Sequence, residues 1–195
     1  MSNYRQIKKI LRLLLNIHNV IYNKLVFNIF SVKTKSHNIN GRIYIRNKGE
    51  IFLGKGFRAN SGMGKNPIGG DTVLRLITQM TGCIEIGDNV GISNSTIFST
   101  EKIIIGSGTL IGGGVKIWDT DFHSIDPLVR NTRFDKGLSG QITIGKNVFI
   151  GGGSIILKGV NIGDNSVIAA HSVVSKSIPE NEIWGGNPVK FIRSL

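Results

Sequence analysis

The feature that most constrains the fold of this chain is a six-residue period in its C-terminal half. Aliphatic residues recur at intervals of six, at Ile144, Ile150, Ile156, Ile162, Ile168 and Val174. Gly or Ala follows four of these six residues, and a small or branched residue stands four positions after each. The same unit occurs upstream, beginning at Ile86, Ile105 and Ile111. One phase held through the six units from Ile144 to Val174 indicates a repeat protein.

A period of six fits neither an α-helix nor a βαβ unit. It fits a short strand and a corner repeated three times per coil, which gives a triangular solenoid. One aliphatic side chain per strand then points inward and stacks on its counterpart in the next coil, at the usual strand spacing of about 4.8 Å. Glycine, at 26 of 195 residues, suits the corners. The residues alone do not determine the handedness, and the usual crossover rule favours a right-handed coil.

The six-residue phase breaks between Ile117 and Ile144, where a polar insert contains a histidine, His123. Long loops on a rigid scaffold often carry function. Neutral imidazole, with a reference pKa of about 6.5, is a suitable general base near neutral pH. The alternative is that His123 is only a solvated loop residue.

Three features together resemble the hexapeptide-repeat acyltransferases, in their sugar and xenobiotic O-acetyltransferase branch. The repeats are the first, the stretch Trp118–Pro127 is similar to the active-site loop of that branch, and Gly185–Arg193 resembles its closing signature. The resemblance covers about residues 45–195. It implies an all-β fold, a left-handed parallel β-helix, with a protruding active-site loop. Within the family, the chain resembles O-acetyltransferases of capsule, exopolysaccharide and lipopolysaccharide gene clusters.

The resemblance also implies a site. His123 is the expected catalytic base, and either Asp119 or Asp121 is expected to hold its other ring nitrogen. Acetyl-CoA is the expected co-substrate, and no metal is expected. Residues expected to bind acetyl-CoA are Phe149, Gly152, Ala170, Ser175, Lys176, Lys190 and Arg193. Residues expected to face the acceptor are Ser93, Asn94 and Trp118.

The implied activity is transfer of an acetyl group from acetyl-CoA to a sugar hydroxyl in surface polysaccharide biosynthesis, by a homotrimer. N-acetylation of an amino sugar or another small acceptor stays open, as does a non-catalytic trimeric scaffold. A γ-type carbonic anhydrase of the same fold is excluded, because its zinc needs three histidines and none closely follows His123.

We expect three regions: a basic amphipathic helical segment at 1–35, a β-helix at 43–179 with its loop at 118–141, and a C-terminal tail at 180–195. In the first region apolar residues recur at helical spacing, at Ile7, Ile10, Leu11, Leu14, Ile17, Ile21 and Leu25. This helix could pack against the solenoid or a neighbouring subunit, or its residues 1–30 could contact a membrane surface.

The net charge of +12 is uneven, because no acidic residue precedes Glu50. We find no nucleic-acid-binding motif and expect no such partner. Cys83 is the only cysteine, which fits a reducing compartment. With no recognisable signal peptide or transmembrane segment, we expect a cytoplasmic protein, with the inner membrane surface as a second location.

Overall fold

The computed structural model describes residues 2–79 and 81–195, except for the side chains of residues 2–5 and 7–16. One helix, α1, spans Ser2–Ile29. The strands are β1 (Lys33–Thr34), β2 (His37–Gly41), β3 (Tyr44–Arg46), β4 (Glu50–Leu53), β5 (Phe57–Ser61), β6 (Arg75–Thr78), β7 (Cys83–Ile86), β8 (Gly91–Ser93), β9 (Thr96–Ser99), β10 (Lys102–Ile105), β11 (Leu110–Ile111), β12 (Lys116–Trp118), β13 (Ile142–Ile144), β14 (Phe149–Ile150), β15 (Ile155–Ile156), β16 (Asn161–Ile162), β17 (Val167–Ile168), β18 (Val173–Val174), β19 (Glu182–Gly185) and β20 (Lys190–Ser194).

The strands form the three parallel sheets of a β-helix. Each coil contributes one strand to each sheet, so that every third strand is hydrogen-bonded: β1-β4-β7-β10-β13-β16, β2-β5-β8-β11-β14-β17 and β3-β6-β9-β12-β15-β18. The predicted inward residues stack in register. Ile86 pairs with Ile105, Ile105 with Ile144, and Ile144 with Ile162. These residues belong to one buried aliphatic core that runs along the solenoid.

The β-helix is longer than the predicted 43–179. Its first coil begins at Lys33, since β1 pairs with β4 and β2 with β5. The first coil was missed because β2 carries polar residues at most positions, so the aliphatic period is absent there. At the other end β19 continues the second sheet in parallel with β17, and β20 folds back antiparallel. The expected tail is therefore a β-hairpin that closes the sheet.

In the described part of the chain, two long loops leave the solenoid at its corners. The predicted one lies between β12 and β13. A second loop, at 62–74 between β5 and β6, is not predicted by the repeat pattern. Both pairs of flanking strands keep their parallel neighbours, so neither loop disturbs the stacking of the coils.

Helix α1 covers the open N-terminal end of the first coil. Phe27 is buried in the core. The Asn23 side chain is 2% exposed; its amide donates to the Gly41 carbonyl (2.9 Å) and its oxygen accepts from the Ile43 amide (3.0 Å). These backbone groups lie at the end of the solenoid, where no further coil can pair with them.

The predicted apolar face of α1 points away from the solenoid. Ile17, Ile21 and Leu25 are each about half exposed, at 48%, 54% and 55%. The interpretation that this face packs against the solenoid is therefore wrong for these residues, because the polar end of the first coil needs Asn23 instead. Ile7, Ile10, Leu11 and Leu14 lie outside the described side chains. No helix in the described part of the chain is long and apolar enough to cross a membrane.

We expect Asn23→Ala to lower the free energy of unfolding by about 2 kcal/mol, because it leaves two buried backbone groups without partners. Urea denaturation would measure this. The matched control is Asn28→Ala, an exposed asparagine one turn further along the same helix. Equal stabilities of the two variants would contradict the role given to Asn23.

Candidate active site

The loop that carries His123 leaves and re-enters the solenoid through an antiparallel neck. Thr120 and Ser139 form an isolated antiparallel bridge. The Asp121 amide donates to the Leu138 carbonyl, and the Gly140 amide donates to the Asp119 carbonyl, both at 2.9 Å. The base of the loop is therefore fixed by backbone hydrogen bonds.

Asp119 anchors this neck to the preceding coil. Its side chain is fully buried, and its carboxylate accepts hydrogen bonds from the Ser99 hydroxyl, from both the amide and hydroxyl of Thr100, and from the Glu101 amide, all between 2.7 and 3.0 Å. Four donors satisfy a buried carboxylate well. Asp119 therefore holds the corner from which the loop departs.

A second carboxylate, that of Asp135, organises the loop itself. Oδ2 lies 2.8 Å from His123 Nδ1 and accepts from the Asn131 amide at 3.0 Å, while Oδ1 accepts from the Ser124 amide at 2.7 Å. These contacts lower the pKa of Asp135 from 3.8 to about 2, with the Ser124 amide as the largest cause, followed by the Asn131 amide and the His123 side chain. The carboxylate is therefore ionised near neutral pH.

The ionised carboxylate fixes the tautomer of His123. An ionised carboxylate can only accept, so Nδ1 must carry a proton and donate it to Asp135. In the neutral ring Nε2 is then unprotonated and can accept a proton. The imidazole is 68% exposed, while the Asp135 side chain is 10% exposed. An exposed basic nitrogen held by a sheltered carboxylate is the arrangement that general base catalysis needs.

The expectation that Asp119 or Asp121 orients His123 is thus wrong. Asp119 is occupied at the corner, and the Asp121 carboxylate pairs with Lys158 Nζ at 3.3 Å. Asp135 lies twelve residues beyond His123, and nothing in the sequence distinguishes it from the other acidic residues of the insert. Only the folding of the loop brings the two side chains together.

Residues expected to bind acetyl-CoA lie on a different part of the chain, along the second sheet and at its edge. Phe149 is exposed on β14, and Gly152 and Ala170 occupy equivalent corners of successive coils. Ser175 is exposed just after β18. Lys190 and Arg193 are exposed on β20.

Lys176 lies beside this hairpin. Its Nζ is 4.8 Å from the centre of the Trp184 ring, and Gly185, next to Trp184, pairs with Lys190. Two of the expected phosphate-binding cations, Lys176 and Lys190, are thus associated with the same hairpin. In the described part of the chain, no hydrogen bond or ion pair joins them to the His123 loop.

The residues expected to face an acceptor have different surroundings. Asn94 is buried; its side chain accepts from the Gly62 amide (3.0 Å) and donates to the Gly70 carbonyl (2.9 Å), so this expectation is wrong. Ser93 is half-buried on β8, where its hydroxyl accepts from Asn60 at 3.4 Å. Trp118 is half-buried on β12, where it pairs with Phe98 of β9. The Phe98 ring packs on Phe122 of the loop.

Comparisons with known proteins agree with this fold. A family model described as the hexapeptide repeat of succinyl-transferase matches residues 141–176. A putative lipopolysaccharide biosynthesis O-acetyl transferase of Escherichia coli, WbbJ, is 37% identical over 157 residues, which are 77% of this chain and 74% of that protein. The chain belongs to the hexapeptide-repeat acyltransferase family. The predicted family and the predicted left-handed parallel β-helix are therefore confirmed.

Other proteins match over shorter regions or at lower identity. A putative acetyltransferase of Saccharomyces cerevisiae is 46% identical over 57% of this chain and 56% of its own length. The chain spans about half the length of the first curated relatives it matches. The structure of AntD, an N-acyltransferase from Bacillus cereus, superposes with a TM-score of 0.69 at 22% identity, over 88% of this chain and 87% of that one, which is a likeness of fold.

In this hexapeptide-repeat acyltransferase we expect the order of the loop to depend on the charge of Asp135. Its pKa is lower in the folded chain than the ordinary value of 3.8. The stabilisation it gives is therefore complete above about pH 4 and is lost as the pH falls through about 2. Amide chemical shifts of Ser124 and Asn131, followed by NMR, should titrate with a midpoint near 2. A midpoint near 4 would contradict the assignment, and Asp135→Asn should abolish the transition.

Proposed function

We propose that this protein is an acetyl-CoA-dependent O-acetyltransferase that modifies a sugar hydroxyl in surface polysaccharide biosynthesis. The observation that carries the proposal is the His123–Asp135 pair, an exposed base held by an ionised carboxylate on a loop of a hexapeptide-repeat acyltransferase. The 37% identity to a putative lipopolysaccharide biosynthesis O-acetyl transferase supports the acceptor class.

In the proposed reaction, His123 Nε2 takes the proton of the acceptor hydroxyl. The hydroxyl oxygen attacks the thioester carbonyl, the carbon–oxygen bond forms, and the carbon–sulfur bond breaks. The proton then passes from Nε2 to the departing thiolate. During the step the ring becomes positively charged, and the Asp135 carboxylate 2.8 Å from Nδ1 stabilises that charge. Asp135 also prevents rotation that would exchange the two nitrogens.

Acetyl-CoA would lie along the second sheet, with its phosphates near Lys176, Lys190 and Arg193. All three side chains are exposed, and none forms an ion pair in the described part of the chain. Arginine and lysine are the usual partners of phosphate groups. Gly152 and Ala170 would offer only backbone atoms or a methyl group to the pantetheine arm. AntD was crystallised with coenzyme A.

We propose a homotrimer, in which the His123 loop of one subunit meets the acetyl-CoA residues of its neighbour. Exposed apolar residues on the outer face of the second sheet, Leu110 and Phe149, support an interface there. An oligomer would also bring together two groups of residues that no hydrogen bond or ion pair joins within the described part of one chain. A mass three times the 21.2 kDa of one chain in sedimentation would agree.

N-acylation of an amino sugar is the second candidate. AntD is described as an N-acyltransferase and was crystallised with a dTDP-linked amino sugar. Its likeness to this chain is one of fold, whereas the relative with 37% identity is named as an O-acetyl transferase. The O-linked reaction is therefore preferred. It also needs a base more strongly, because a hydroxyl is a poorer nucleophile than a neutral amine.

We expect His123→Ala to lower kcat by about 10²–10⁴-fold, the usual contribution of a general base. Release of free thiol from acetyl-CoA would be measured with a panel of oligosaccharides and amino sugars. The control is His18→Asn, which changes an exposed histidine on α1. Unchanged turnover in His123→Ala would remove His123 as the base, and turnover only with amino sugars would favour N-acylation.

We also propose that the protein is cytoplasmic and contacts the inner membrane surface through α1. The exposed face of the helix carries Ile17, Val20, Ile21 and Leu25, with Lys24 between them. Protein interfaces seldom place lysine at their centre, whereas at a bilayer its ammonium can reach the headgroups. Ten basic residues and no acidic one precede Glu50, which suits anionic lipid.

Flotation with phosphatidylcholine vesicles, with and without phosphatidylglycerol, would test this contact. Binding should require the anionic lipid and fall as salt is raised. Ile21→Asp should weaken it about 10-fold or more, since one apolar side chain can no longer enter the bilayer. The control is Leu128→Asp, an exposed leucine far along the chain. Equal binding of the two variants would contradict the proposal. If α1 instead binds a second copy of the chain, Ile21→Asp should reduce the mass of the protein in solution.

A further inference from the structure

One corner of the solenoid forms a continuous column of small residues that runs along its length. Asn94, Gly113, Gly152 and Ala170 occupy equivalent positions in successive coils, as the strand registers require. Backbone hydrogen bonds link the corners: the Gly114 amide donates to the Asn94 carbonyl (3.1 Å), Gly153 to Gly113 (2.8 Å) and His171 to Gly152 (2.9 Å). Two members of this column, Gly152 and Ala170, are among the residues expected to bind acetyl-CoA.

The unpredicted loop at 62–74 is fastened at the Asn94 end of this column. The buried Asn94 side chain hydrogen-bonds to both arms of the loop, at Gly62 and Gly70, and the Thr72 hydroxyl donates to the Asn94 carbonyl at 3.0 Å. Within the loop, the Asp71 carboxylate accepts from the Gly64 amide, also at 3.0 Å. A loop tied in this way by a buried side chain has a defined position.

From that anchor the loop extends along the column toward the C-terminal coils. The Asn66 side chain lies against Gly113, so closely that a Cβ at position 113 would collide with it. One coil further, a Cβ on Gly152 would lie 3.6 Å from Ile68 Cδ1. The loop thus covers the column at Gly113, and its furthest point, Ile68, lies beside Gly152. The Ile68 side chain is 78% exposed.

We propose that Ile68 is the end-stop for the acyl group and limits the length of acyl chain that the enzyme accepts. This inference rests on the proposed function. If the phosphates bind near Lys176 and Lys190 at the C-terminal end, the pantetheine arm runs along the column past Ala170 and Gly152. The thioester and acyl group then reach the point at which the loop blocks the column. They meet Ile68 first, beside Gly152, and Asn66 lies beyond it over Gly113.

The test compares kcat/KM for acetyl-, propionyl- and butyryl-CoA with one fixed acceptor. Ile68→Ala should raise the ratio of butyryl to acetyl transfer by about 10-fold or more, the usual effect of pocket space for added methylene groups. Ile68→Phe should lower the ratio of propionyl to acetyl transfer. Opposite shifts from a smaller and a larger residue separate a steric limit from a loosened loop.

The matched control is Met63→Ala, an equally exposed apolar residue at the base of the same loop, which should leave the ratios as in the wild type. If wild type and variants are active and their ratios do not differ, the end-stop is wrong and the proposed function stands. If the wild type transfers no acyl group to any acceptor, the proposed function fails and the end-stop fails with it.

Discussion

The stacking of inward aliphatic residues between coils is the interaction on which the rest of this molecule depends. Many of its strands contain only two or three residues, too few to be stable as an isolated sheet. Each gains stability because apolar side chains stack at the same position in neighbouring coils, as in the series Ile86, Ile105, Ile144 and Ile162. Each coil is therefore stabilised by the coils on either side of it, as in other solenoids.

A scaffold held together in this way tolerates long insertions at its corners, because the contacts that stabilise it lie in the strands. The two loops use this freedom differently. The 119–141 loop is tied to the solenoid by one buried carboxylate, Asp119, and organised internally by another, Asp135. The 62–74 loop is tied by a buried amide, Asn94. In each case a short polar side chain satisfies backbone groups that the interrupted coil leaves without partners.

The regular part of the fold could be predicted from sequence because its signal is a spacing, which survives without knowledge of contacts. The first coil could not be predicted in this way, because β2 contains His37, Asn38 and Asn40 and lacks the aliphatic spacing of the later coils. The role of Asp135 could not be predicted either. Its partner is determined by the path of an irregular loop, and the nearer Asp119 and Asp121 were equally plausible from spacing alone. The role of Asn94 cannot be predicted from sequence either, because an asparagine near a predicted site is as easily a ligand contact as a loop anchor.

The orientation of α1 follows from the same physics at the end of the solenoid. Periodicity identifies which face of a helix is apolar, but the first coil presents the Gly41 carbonyl and the Ile43 amide, so the face with Asn23 and Phe27 must cover it. The apolar face is consequently turned outward. If that face lies on a membrane, the column from Asn94 to Ala170 leads away from the bilayer. In the proposed function, the nucleotide would then bind at the distal end, and the acyl group would be held nearer the bilayer.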